Sequence, residues 1–152
     1  VCCAFYNLIA KYMLDGIEFE EAYSTAVNSL KNIYKNNKEY LYEFENNILP
    51  DGIIEERGTG YVIDCLKSAF KIIRESNSYE DAIKKSIALG NDTDTTAAIY
   101  GQLAGACYGY KNLPRKWLEH VYAHKFMTKL SKWIVYEGKQ WSDERQNSAI
   151  RK

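Results

Sequence analysis

The sequence predicts an all-α fold, and three observations carry that prediction. Apolar residues recur at three- and four-residue spacing along most of the chain. No stretch sustains the period-two alternation of a half-buried strand. Proline is confined to Pro50 and Pro114, so helices can run long between breaks.

Taken in order, Phe5, Leu8, Ile9, Tyr12 and Met13 mark a first helix that Asp15-Gly16 stops. Phe19, Ala22, Tyr23, Ala26, Val27 and Leu30 mark a second, which runs out into Lys35-Asn36-Asn37-Lys38. Leu41, Phe44 and Ile48 predict a shorter third helix, ended by Pro50-Asp51-Gly52. Residues 51–60 read as a glycine-containing loop, with Thr59 as a candidate cap for the next helix. Val62, Cys65, Leu66, Ala69, Phe70 and Ile73 form the stripe of that helix. Ser78 and Asp81 have capping-box spacing and open another, which Gly90 ends. A small-residue helix follows to about Gly109. Leu113-Pro114 begins the last predicted helix, with Trp117, Leu118, Val121, Tyr122, Leu130 and Ile134 as its buried positions. Residues 1–136 are expected to form part of one domain, and 137–152 a polar tail.

The chain has 152 residues, 46% of them hydrophobic, which allows a real core. Twenty basic residues balance twenty acidic ones, so charge gives no reason to expect nucleic acid or an anionic membrane as partner. No apolar run approaches the roughly 18–20 residues of a membrane span. Cys2, Cys3, Cys65 and Cys107 fit neither a disulfide framework nor a zinc site and are expected to be reduced thiols of a cytoplasmic protein. The opening Val-Cys-Cys-Ala-Phe-Tyr lacks methionine and the marks of a signal peptide. It is expected to be mid-helix, in a domain cut from something longer.

The segment Gly90-Asn91-Asp92-Thr93-Asp94-Thr95 carries the strongest chemical signal. Asp92 and Asp94 stand at i and i+2 just before a helix, with Thr95 directly after. Two carboxylates and a hydroxyl are hard oxygen donors, suited to Mg²⁺, Mn²⁺ or Ca²⁺. The same residue types are also standard N-caps, so capping and metal binding both remain open on spacing alone. An EF-hand starting at Asp92 would need Gly and Glu where Ala97 and Leu103 stand. A D-x-D-x-T phosphotransferase would need a strand before Asp92, and Ala82–Ile87 is helix-patterned. Behind the turn, Gly101, Gly105 and Gly109 recur every four residues, costly in a helix unless another backbone approaches closely.

The string Gly90 to Ile99, with Gly101-Gln102-Leu103-Ala104-Gly105-Ala106 and Tyr108-Gly109 after it, resembles the C-terminal signature of the ADP-ribosylglycohydrolases, relatives of the dinitrogenase-reductase-activating glycohydrolase. Pro114 and Trp117 fit the signature's continuation, Thr59-Gly60-Tyr61-Val62 resembles the family's preceding helix start, and Ser78–Ile83 resembles the helix leading into the motif. The convincing resemblance covers about residues 59–118. It implies an orthogonal helical bundle, incomplete here at the N-terminus, around two Mg²⁺ ions (Mn²⁺ being a possible substitute). It implies Asp92, Asp94 and Thr95 as metal ligands, and Gly60 and Tyr61 as residues lining the ADP-ribose cleft. The implied chemistry is hydrolysis of the glycosidic bond between ADP-ribose and an acceptor, a protein side chain or an ADP-ribose derivative. The family's other metal cluster and catalytic acid lie in an N-terminal segment that nothing in this chain matches. The expected partner is therefore the N-terminal half of the same domain, and the isolated chain is expected to be inactive. The alternative is a non-catalytic relative that keeps the fold as a binding or structural module.

Outside that signature, His120 and His124 stand at i, i+4, a spacing able to bind zinc, but H-E-x-x-H is absent. Of the 13 tyrosines, Tyr61 is the one expected to touch ligand, with Tyr108, Tyr110 and Tyr122 as runners-up.

Overall fold

A computed structural model describes residues 1–49 and 59–150, with the backbone alone for 146–150. The expected stop at Pro50-Asp51-Gly52, and residues 51–58 of the expected loop, lie outside the described residues. The chain divides into two compact units, Val1–Leu113 and Pro114–Lys152.

In the first unit, α1 spans Cys2–Leu14 and ends at Asp15, with Gly16 at φ +89° turning the chain where a side chain would be strained. Helix α2 spans Phe19–Tyr34 and α3 Lys38–Glu43, capped by the Asn37 side-chain amide oxygen, Oδ1, accepting from the Tyr40 N–H. The third predicted helix then widens into a π-turn, Phe44–Ile48, which leaves both Phe44 and Ile48 buried. Helix α4 spans Val62–Glu75, α5 Tyr79–Ala88 and α6 Thr93–Tyr108, followed by a 3₁₀ turn at Tyr110–Asn112. No strand occurs among the described residues, so the all-α expectation holds.

The capping box forms in part, its return bond taken by the residue before the cap. The Asp81 N–H donates to the Ser78 hydroxyl at 3.1 Å, and Asp81 accepts the Asn77 N–H at 3.1 Å. Phe5 centres one side of the core, edge-on to Tyr23, Phe44 and Phe70 at centroid distances of 5.2, 5.0 and 5.5 Å. Helix α6 packs against α1, α4 and α5, burying Thr96, Tyr100, Leu103 and Ala104. The Tyr6 hydroxyl donates to the Ile99 carbonyl at 2.8 Å and ties α1 to α6. The Tyr108 hydroxyl does the same for the end of α4, donating to the Ser76 carbonyl at 2.7 Å.

The glycine repeat needs correction. A Cβ at Gly101 would lie 3.4 Å from the Tyr79 hydroxyl and 3.7 Å from Ile83 Cδ1, so α5 does approach there. At Gly105 and Gly109 a Cβ would meet nothing within 4 Å. Crossing helices touch over a limited length, and the ten-residue α5 reaches only the first glycine. Gly109 serves the helix end instead, at φ +75°.

In the second unit, α7 spans Arg115–Leu118 and α8 His124–Ile150. The single predicted last helix is thus broken, at Ala123, which adopts φ +53°. None of its six expected core positions is buried, with Tyr122 93% exposed and Ile134 59%, because the break at Ala123 splits between two helices the apolar stripe that one helix would present. Residues 137–150, expected as a polar tail, continue α8. No helix of the described residues is long and apolar enough to cross a membrane.

Candidate functional site

The site begins where α5 gives way to α6. Gly90 and Asn91 both take left-handed backbone, at φ +74° and +57°, and swing the chain so that Asp92 becomes the N-cap of α6. Asparagine is among the few residues that enter this region readily. The Asp92 carbonyl accepts both the Thr96 N–H at 3.1 Å and the hydroxyl of the fully buried Thr96, which fixes the first turn from below.

An N-cap aspartate ordinarily turns its carboxylate onto the helix amides. Asp92 makes no such side-chain bond. The neighbouring Asp92 carboxyl is instead the largest cause holding the Asp94 carboxyl below the usual carboxylate range. Next come the Thr95 N–H, donating to Asp94 Oδ1 at 3.0 Å, and the N–H of Asp94 itself. Asp94 is thereby held anionic. Thr95 lies beside them, exposed, in the first turn. Convergent carboxyl oxygens in which one acid is kept charged form a donor set that fits a hard divalent cation. Among the described residues no group of three or more His, Cys, Asp or Glu is placed to hold a metal ion, so Asp92 and Asp94 would have to share such an ion with other oxygen donors.

The start of α4 closes on the same point. A Cβ at Gly60 would lie 3.0 Å from Asp92 Oδ2, so the backbone there approaches the carboxylate as only glycine allows without a shift. Tyr61 follows as N-cap of α4, 58% exposed, with its ring free to meet a ligand. Thr59 is not the cap it was expected to be. Its hydroxyl donates to Asp64 Oδ2 at 2.7 Å, while its carbonyl accepts the thiol of Cys65 at 2.8 Å. Burial pushes the Cys65 thiol up, and the negative charges of Asp92 and Asp64 push it further, so it stays protonated and able to donate. Thr59, Asp64 and Thr96 are residues that the sequence reading did not assign to the site. The five-residue spacing of a hydroxyl and a carboxylate across a helix start was the available signal for the first two.

The other candidates are placed elsewhere. The break at Ala123 puts His120 in a turn, not on one helix face with His124, and His120 Nδ1 lies 2.7 Å from the Lys116 carbonyl oxygen. Tyr108 is spent on Ser76. The four cysteines are free thiols, but only Cys65 is buried; Cys3 and Cys107 are exposed.

An all-helical fold whose signature turn presents paired aspartates is the class defined by these observations. The family model for ADP-ribosylglycohydrolase matches residues 1–144, and the chain belongs to that family. It is 33% identical over 136 residues to the ADP-ribosylarginine hydrolase Tri1 of Serratia proteamaculans, a match covering 88% of this chain and 35% of that protein. It is 34% identical over 132 residues to the Tri1 protein of Pseudomonas putida, covering 86% and 33%. The ADP-ribosyl-[dinitrogen reductase] glycohydrolase of Rhodospirillum rubrum is 29% identical over 65 residues, covering 43% and 22%. The chain thus spans about a third of the length of the first two relatives.

Proposed function

We propose that this chain is the C-terminal part of a Mg²⁺-dependent ADP-ribosyl hydrolase, supplying Asp92, Asp94 and Thr95 to the metal site and the Gly60-Tyr61 edge to the ADP-ribose cleft. The observation that carries the proposal is the Asp92 carboxylate, which makes no cap bond and lies against the Gly60 backbone beside Asp94. Pure capping would leave that carboxylate on the amides of α6. Family membership supplies the reaction class, and the relatives named for hydrolysing ADP-ribosyl groups on arginine or on a protein supply the substrate class.

Bound Mg²⁺ would supply Lewis-acid orientation of ribose hydroxyls and stabilise charge near the anomeric carbon. The chain's own residues do the holding. Asp92 and Asp94 present anionic oxygens from a helix start whose own dipole favours negative charge there. The exposed ring of Tyr61 offers a flat face at the edge of the turn. In the net reaction a water oxygen bonds to the anomeric carbon, the bond to the acceptor breaks, and the acceptor leaves with a proton. The acid that delivers this proton belongs to the N-terminal part of the domain.

Asp94→Ala in the complete protein tests this reading. It is expected to abolish ADP-ribose release while leaving the melting temperature within a degree or two of wild type. A variant that folds and keeps full activity would end the metal role for that residue.

A further inference from the structure

The residue that abuts the acidic turn is itself held from two sides. Gly60 faces Asp92, with a Cβ position 3.0 Å from Oδ2. Thr59, one residue earlier, is clamped by the first turn of α4: hydroxyl to Asp64 at 2.7 Å, carbonyl to Cys65 at 2.8 Å. The Tyr61 N–H also points at the Thr59 hydroxyl, at 3.4 Å. Asp64 is a first-turn acid of α4 with helix amides close at hand, yet its carboxylate takes the hydroxyl of a residue that lies before the helix. Hydrogen bonds to charged groups are the stronger kind, so this one is well suited to fix a loop backbone.

We propose that Asp64 and Thr59 are positioning residues for the site: their hydrogen bond pins the Thr59-Gly60 backbone against Asp92 and limits the directions its carboxylate can take. The catalytic consequence rests on the hydrolase reading; the clamp itself does not. Without it the Thr59-Gly60 segment is free to move off Asp92, and the carboxylate gains rotamers that do not face Asp94. Cys65 supplies a reporter. Its thiol is buried and donates to the Thr59 carbonyl, so loosening the clamp uncovers it.

The test uses the complete protein with Thr59→Val, Thr59→Ser, Asp64→Ala and Asp64→Asn. Two quantities are read for each: the Mg²⁺ dependence of ADP-ribose release, and the rate at which N-ethylmaleimide labels Cys65, resolved by peptide mass spectrometry from Cys2, Cys3 and Cys107. Thr59→Val and Asp64→Ala are expected to raise both the half-saturating Mg²⁺ concentration and the Cys65 labelling rate by about tenfold or more, as loss of a charge-assisted hydrogen bond implies. Thr59→Ser keeps the hydroxyl and should stay within about twofold of wild type. Asp64→Asn keeps an acceptor oxygen and should fall between. Faster labelling with an unchanged Mg²⁺ requirement and turnover would make the clamp merely structural and overturn the proposal. Unchanged labelling in both Thr59→Val and Asp64→Ala would overturn it as well. Failure of the hydrolase reading looks different: wild-type protein that releases no ADP-ribose at any Mg²⁺ concentration, in which case the labelling rates alone decide whether the clamp exists.

Discussion

Gly60→Ala separates placement of the acidic turn from stability of the fold. An alanine Cβ there would sit 3.0 Å from Asp92 Oδ2 and 4.0 Å from its Cγ, so the carboxylate or the turn must give by a few tenths of an ångström. If a displacement of 1 Å in a catalytic array costs on the order of a hundredfold in rate, a few tenths scales to roughly three- to tenfold. Stability moves differently. Gly60 precedes α4 and its φ lies outside the left-handed region, so alanine removes unfolded-chain freedom worth about 0.4–1 kcal/mol. That gain offsets part or all of the strain against Asp92. The assay is kcat/KM for ADP-ribose release by the complete protein across Mg²⁺ concentrations, paired with a thermal melt. The expected pattern is lower activity at an unchanged or slightly raised melting temperature, with part of the loss recovered at high Mg²⁺. Full activity in a normally folded variant would refute the view that Gly60 sets the Asp92 carboxylate, and a melting temperature lowered by many degrees would show that the contact belongs to folding.

Two further predictions follow from the packing and from the capping box. Gly105→Ala is expected to stabilise the protein by about 1 kcal/mol, because it removes a helix-interior glycine where a Cβ meets nothing within 4 Å; a fall in the urea midpoint would mean that another surface covers this position. Asp81 is held below the usual carboxylate range by Lys85, at 2.8 Å, and then by the Asn77 N–H. A depressed native value stabilises the fold above the unfolded value of about 3.9 and is lost as pH falls through the native one. The melting-temperature gap between wild type and Asp81→Asn should therefore be steady from pH 7 to about 5 and close below about pH 4, and a gap that persists to pH 2 would contradict it.

What the sequence made legible was local. Helix ends at Asp15-Gly16, Ser78–Asp81, Gly90 and Gly109 rest on glycine φ values and on caps that reach four residues at most, and each is where the pattern placed it. The Asp92/Asp94 spacing is legible for the same reason, since a single residue, Thr93, separates its members. The break at Ala123 was not, because alanine is the strongest helix former and nothing adjacent to it marks a left-handed residue. The π-turn at Phe44–Ile48 was also hidden: the four-residue spacing of its two buried residues is what an ordinary helix shows. The Thr59–Asp64 bond crosses a loop–helix boundary, where a cap is the simpler expectation for threonine. Gly60 facing Asp92 joins residues 32 apart, which no periodicity encodes.

The acidic turn runs against local stability, and the rest of α6 offsets that. Leaving the N-cap side chain unused forfeits about 1 kcal/mol. A sequence selected for folding alone would turn Asp92 onto the amides. Instead, α6 is held by groups other than its cap: the buried Thr96 hydroxyl on the Asp92 carbonyl, Tyr100, Leu103 and Ala104 in the core, and the Tyr6 hydroxyl on the Ile99 carbonyl. These fix the backbone of the turn without a cap bond from the Asp92 side chain. Breaking a local rule at one point, with compensation from nearby packing, is how functional sites sit in otherwise consistent sequences. The clamp from Asp64 through Thr59 to Gly60 extends the same logic, because it holds the loop opposite the turn without drawing on Asp92 or Asp94.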